Sequence, residues 1–219
     1  QRLVRAKRKI AQAGVPFEVP SPEQWAERMD AVLSTLEIAY AKAYQDAAGV
    51  GAHAGFAAEV LRLTGLLAEL APDEPEALAL AATVRFAEAR RPARLDDSGA
   101  MVPLTEQDPA QWRDELIDEA EALLRRTGDR RPGPRALQAA IHAAHAGRRG
   151  GPPPWADILA LYDALLTFGE DPVVRLNRAV ALAEVAGPQA ALAEVDALAG
   201  PASDRWLPWH SARAHLLAR

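Results

Sequence analysis

Residues 154–192 read "PWADILALYDALLTFGEDPVVRLNRAVALAEVAGPQAAL". Pro154, Pro172 and Pro188 each stand where an apolar rhythm of three to four residues restarts. Trp155, Ile158, Leu159, Tyr162, Leu165 and Leu166 form one stripe at that spacing, which predicts an amphipathic helix. Proline suits the first helical position, because the N–H it lacks would find no intrahelical partner there. The first helix of this stretch carries large residues. The second carries small ones, Ala179 and Ala181, and Gly187 closes it.

The same grammar extends along the chain. Val60, Leu63, Leu67 and Leu70 make a second stripe, and Trp112, Leu116, Ala120 and Leu123 a third. Pro22, Pro75, Pro109, Pro134 and Pro201 mark further helix starts. "SPEQ" (21–24) and "DPAQ" (108–111) place a side-chain acceptor at the cap and Gln three residues later, the pattern of a capping box. Pro154 and Pro188 lie 34 residues apart, as do Pro75 and Pro109. That period, with large residues in one helix meeting small ones in the next, resembles tetratricopeptide (TPR) repeats in degenerate form, most clearly over 133–219. The expected fold is all-α: a TPR-like array of about nine helices. Composition agrees, since alanine and leucine dominate and aromatics are only 5%. One segment departs from it. "RLDDSGAMVPL" (94–104) sets a polar turn between short apolar flanks and reads as a small hairpin or an irregular loop, its two aspartates most simply a solvated turn.

Little chemistry can be read. The chain has no cysteine, so thiolate catalysis and cysteine-held metals are excluded. Its charge-free stretches, such as 47–58, fall short of the roughly 18 residues a membrane span needs. The start lacks the apolar segment of a secretion signal, so a cytoplasmic protein is expected. "HAAH" (142–145) puts two imidazoles on one helical face but has no third ligand or adjacent carboxylate, and reads as a partly buried helix surface. "GVGAHAG" (49–55) has neither a preceding strand nor a phosphate-binding lysine, and reads as a loop. The acidic groups Asp73, Glu74 and Glu76, and those over 114–121, suit helix starts and exposed faces. "RRTGDRRPGPR" (125–135) reads as a helix end followed by solvated loop charges. No enzyme, metal site or cofactor is predicted.

The remaining puzzle is the beginning, "QRLVRAKRKIAQAGVPFEVP" (1–20). Arg2, Arg5, Lys7, Arg8 and Lys9 are five of only 25 basic residues, set against 30 acidic ones in the whole chain. A +5 tip therefore precedes a body of 20 bases and 30 acids, about −10. Gly14 permits a left-handed helix end, and Pro16 and Pro20 an extended exit. This stretch resembles the end of region 4 in extracytoplasmic-function RNA polymerase sigma factors that carry a long TPR-like C-terminal extension. "LLAELAPDEPEALALAA" (66–82), the run 89–120, "GPRALQAAIHAAHA" (133–146), "WADILALYDALL" (155–166) and residues 172–192 resemble that extension in order.

The resemblance implies a tail of the promoter-reading helix at 1–13, a linker at 14–21, a helical extension domain at 22–132 and TPR-like repeats packed on it at 133–219. Arg2, Arg5, Lys7, Arg8 and Lys9 would then meet DNA phosphates and not bases, with non-specific affinity on the order of 10⁻⁴ M or weaker. The implied partners are sigma regions 2 and 4 of the same protein or core RNA polymerase, with promoter DNA reached only through the other domains. One departure stands out: "YAKAY" (40–44) replaces the family's "FNEGY"-like run, so Ala41 and Lys42 stand for an Asn-Glu pair. The alternative reading is a free-standing TPR-like adaptor for a separate protein.

Overall fold

The computed structural model describes residues 2–14, 21–45, 55–128, 131–200 and 203–219. Among them are ten α-helices and five short 3₁₀ turns, and no strand, so the protein is an all-α helical array. The chain divides into two compact units, 1–35 and 36–219. The expected boundary at 132/133 lies inside the second.

The first unit holds α1 (Arg2–Gln12), a 3₁₀ turn at Pro22–Gln24 and the start of α2 (Trp25–Gln45). α1 ends as its sequence predicts. Gly14 takes a left-handed φ of 59°, and its N–H reaches the Ala11 carbonyl at 3.3 Å.

The second unit is organised by α4 (Pro75–Ala89), which packs against α3 (Phe56–Leu70), α5 (Asp114–Arg126) and α6 (Pro134–Ala146). A helix apolar on every side must be buried on every side. In α4 every residue from Ala77 to Ala82 is buried, as are Val84 and Phe86 through Ala89. Its alanines let neighbouring helices approach closely. Phe86, Leu78, Ile117, Trp112 and Ala139 fill the space between them. From α6 the chain stacks helix on helix through α7 (Trp155–Leu166), α8 (Pro172–Ala186), α9 (Pro188–Asp196) and α10 (Leu207–Leu217). Leu137, Ile141, Ile158, Leu165 and Ala181 join the first pairs of this stack. Leu176, Ala179, Ala183, Ala191, Val195 and Leu216 join the last. Ala179 and Ala181 are the small residues singled out in the sequence, and both are buried.

Most of the prolines stand where expected. Pro75, Pro134, Pro172 and Pro188 each open a helix, and Pro154 is the residue just before α7. At Asp171 the side chain also caps, accepting from the Val173 N–H at 2.7 Å.

Two starts differ. Asp108 does cap, accepting from the Ala110 N–H at 2.9 Å, but it opens only the 3₁₀ turn Pro109–Gln111. Trp112 then turns extended (φ −76°, ψ 151°) and buries its indole, and α5 begins at Asp114. Burial of the largest side chain outweighs continuing the turn. Similarly, Pro22 opens a 3₁₀ turn before α2. Pro201 lies outside the described residues, and the last helix starts later, with Pro208 at its second position.

The segment 94–104 is a turn closed by one antiparallel bridge, Leu95 to Met101. Asp96 holds it: one carboxylate oxygen accepts from the Ser98 N–H, the Ser98 hydroxyl and the Ala100 N–H, at 2.9, 2.7 and 2.9 Å. These bonds keep its carboxyl below its ordinary pKa. Its chemistry is that of an Asx turn.

Candidate functional site

The carboxyl-terminal half of α2 lays one face against α4 and α6. Glu37, Tyr40, Ala41 and Tyr44 follow the i, i+3, i+4, i+7 spacing of that face. Leu80, Thr83 and Ala87 of α4 and Gln138 and His142 of α6 complete the walls of an open cleft of about 370 Å³. The "YAKAY" run thus lines it. The Tyr40 and Tyr44 rings sit 5.9 Å apart, tilted.

Charge pairs staple the three helices. Tyr40 donates its hydroxyl to the Glu88 carboxylate at 2.8 Å, and Arg91 grips the same carboxylate with two bonds of 2.7 Å. Burial works to raise the Glu88 carboxyl, and the bonds from Arg91 and Tyr40 outweigh it, so it stays below its ordinary value. The Tyr40 hydroxyl is pushed far up, by burial and by the Glu88 charge. Arg135 of α6 donates to both oxygens of Glu37, at 2.9 and 3.1 Å. Across 59 residues of sequence, Glu76 of α4 accepts from the N–H groups of Arg135 and Ala136, at 3.0 and 3.2 Å, and so caps the first turn of α6. Gly133 makes room for it: a Cβ there would lie 2.6 Å from the Glu76 carboxylate. Glu76 stands at the helix start expected of it, in the first turn of α4, while Arg135 was expected as a solvated loop charge. Together the two tie α2, α4 and α6.

Beneath the cleft lie two buried guanidiniums. Arg94 donates to the Tyr44 carbonyl at 2.9 Å and stacks on the Tyr44 ring, 3.5 Å from its centre. Arg90 is 3% exposed. Its Nη2 donates to His142 Nδ1 at 2.8 Å, while its Nη1 has no partner. Arginine is only a donor, so this bond fixes the imidazole with its proton on Nε2. Burial, the Arg90 charge and His145 together hold the His142 pKa well below its ordinary value. His145 is pushed down to about 4 by burial and by Arg90 and Arg148, and packs edge-on against Trp155, with ring centres 5.5 Å apart. The "HAAH" pair is therefore occupied with Arg90 and Trp155. Among the described residues no cluster of three metal-ligating side chains forms.

The basic candidates of the first unit all lie on α1. Arg5, Arg8 and Lys9 follow i, i+3, i+4 spacing and are exposed, together with Val4 and Ile10. For Arg2 and Lys7 only the helical backbone is described. The "PFEVP" turn, residues 49–54 of the Gly-rich run, and Arg130 lie outside the described residues.

Sequence reasoning missed Glu88, Arg90 and Arg94. The signal available was "EARRPAR" (88–94), four charges crowded at the end of a largely alanine- and leucine-lined helix.

Residues 28–128 match a family of unknown function, DUF6596. An uncharacterized protein of Rhizobium meliloti (strain 1021) is 40% identical over 220 residues, covering 99% of this chain and 52% of that protein. The chain thus spans about half the length of the curated relative it matches. No solved structure matches it. No helix among the described residues is long and apolar enough to cross a membrane.

Proposed function

We propose that this chain is the regulatory, protein-binding extension of an extracytoplasmic-function sigma factor, working in the cytoplasm on transcription initiation. The observation that carries the reading is the ordered set of resembling segments, from the basic opening through 172–192. Two features support it. The opening stretch forms a helix with Arg5, Arg8 and Lys9 exposed, as the end of a DNA-reading helix would need. The repeat-like stack α6–α10 is of the kind that offers extended surfaces to protein partners. About half of the Rhizobium protein lies outside the matched part.

In this reading the acidic body attracts the basic DNA-reading domains, and polymerase competes for them. The test is fluorescence anisotropy of labelled sigma regions 2 and 4 titrated with this chain. Binding should be measurable at low ionic strength and weaken as salt rises through the range where the Debye length falls below about 10 Å. No binding at low salt removes the electrostatic tether. In a promoter-reporter assay with the native gene, removing residues 21–219 should change the output. An unchanged output removes the regulatory role itself.

A further inference from the structure

Four arginines and three carboxylates meet around the cleft of α2, α4 and α6: Arg90, Arg91, Arg94 and Arg135 against Glu37, Glu76 and Glu88. Glu88 is held by Arg91, and Glu37 and Glu76 by Arg135. Arg90 and Arg94, each 3% exposed, form no ion pair among the described residues. A buried charge without a counter-charge is costly, and it persists where something supplies the missing sign.

The groups left free in the lining point the same way. Thr83 Oγ1 is buried without a partner. His142 carries its proton on Nε2 because Arg90 occupies Nδ1. The Gln138 side chain also lines the cleft. Among the described residues of the lining the acid is Glu37, and it is engaged by Arg135. Arg90 is joined to this wall through His142, and its buried Nη1 has no hydrogen-bond partner. The rest of the lining is apolar or aromatic: Ala41, Leu80, Ala87 and the two tyrosine rings.

We propose that this cleft binds a small organic carboxylate on an apolar body. The carboxylate sits at the Thr83–His142–Gln138 end above Arg90, and the body lies against Tyr40, Tyr44 and Leu80. A cleft of about 370 Å³ suits a molecule of roughly a dozen heavy atoms. Arg90 supplies the attracting charge and sets the imidazole tautomer. Thr83, His142 and Gln138 supply direction. The proposal stands independently of the sigma-factor reading, since it concerns only residues 36–219.

The test is calorimetric titration of the whole chain with phenylacetate, the neutral isostere phenylacetamide, the cation phenethylamine and inorganic phosphate. Phenylacetate should bind saturably, with Kd on the order of 1 mM or tighter. Phenylacetamide should be at least about ten-fold weaker, because it forfeits the charge-assisted contacts. Phenethylamine should not bind. Thr83→Val and Gln138→Leu, which remove no ion pair, should each weaken phenylacetate several-fold while moving Tm by less than about 2 °C. Arg90→Lys should weaken it further, and the first two variants keep the test open should that one fail to fold. Equal binding of phenylacetate and phenylacetamide overturns the proposal. So does tighter binding of phosphate, unchanged affinity in both gentle variants, or no saturable binding of phenylacetate.

Discussion

Two tiers of the second unit are built from the same alanine- and leucine-rich helices, yet they place charge in opposite ways. In the α7–α10 stack the ion pairs lie on the rim. Arg178 bridges Asp163 and Glu194 at 2.5 Å each, Arg213 meets Asp196 at 2.7 Å, and Arg219 meets Glu184. Beneath them the joints are packed by apolar side chains. Around α2, α4 and α6 the charges go inside: Glu88, Arg90 and Arg94 are all buried. Helix stacking alone does not require buried charge, since the α7–α10 stack manages without it. Burying ions costs more than it returns unless every partner is in place. Their presence in one tier only marks that tier as built for more than stacking.

The strongest way to break this contrast is Glu88→Ala. It leaves the buried Tyr40 hydroxyl without its acceptor and takes from Arg91 the carboxylate it grips twice. The expected loss is about 3 kcal/mol of unfolding free energy by urea titration. A loss under about 1 kcal/mol would mean the network is no more than surface decoration.

Acid should act next. His145 has a folded pKa of about 4 against an ordinary 6.5, so between those values the unfolded chain holds the extra proton. Stability therefore falls as pH drops below about 6.5. At pH 5 the His145 contribution alone is about 2 kcal/mol relative to pH 7. His142, depressed beside the same Arg90, works in the same direction. His145→Leu should flatten the slope of stability between pH 7 and 5. An equal slope in the variant would place the titrating group elsewhere.

How much of this was legible depends on where the deciding contact lies. Pro75, Pro134, Pro172 and Pro188 could be read as helix starts because the reason is local, a missing N–H. Gly14 could too, because its φ depends on nothing distant. Trp112 could not: its indole is drawn into the core built around α4, and this stops a helix that "DPAQ" had begun. Arg90 and Arg135 were unreadable for the same reason. Their partners His142 and Glu37 lie 52 and 98 residues away, and a charge in an alanine-rich run looks the same whether it will face water or another helix. The helices were visible in the sequence; the cleft between them was not.

A smaller effect isolates one staple. Gly133 has φ −80° and ψ 179°, open to any residue, so Gly133→Ala carries only the clash with Glu76. We expect a cost of about 1–2 kcal/mol. Glu76→Ala should cost about 1 kcal/mol through loss of the α6 cap. The double variant should match Glu76→Ala alone, because the clash and the cap are one contact. Simple addition of the two costs would show that Gly133 serves some other purpose.

Arg178→Ala should do least. It deletes two ion pairs at once and as many short contacts as Glu88→Ala does, three in each case. Its carboxylate partners, however, are half and a third exposed, so water replaces what the guanidinium gave them. The side chain also regains rotamer freedom when released. The expected change is under about 1 kcal/mol, shrinking further in high salt. If instead it approached the Glu88 effect, exposure would not be what separates the two tiers, and the buried arginines would lose their claim to a ligand.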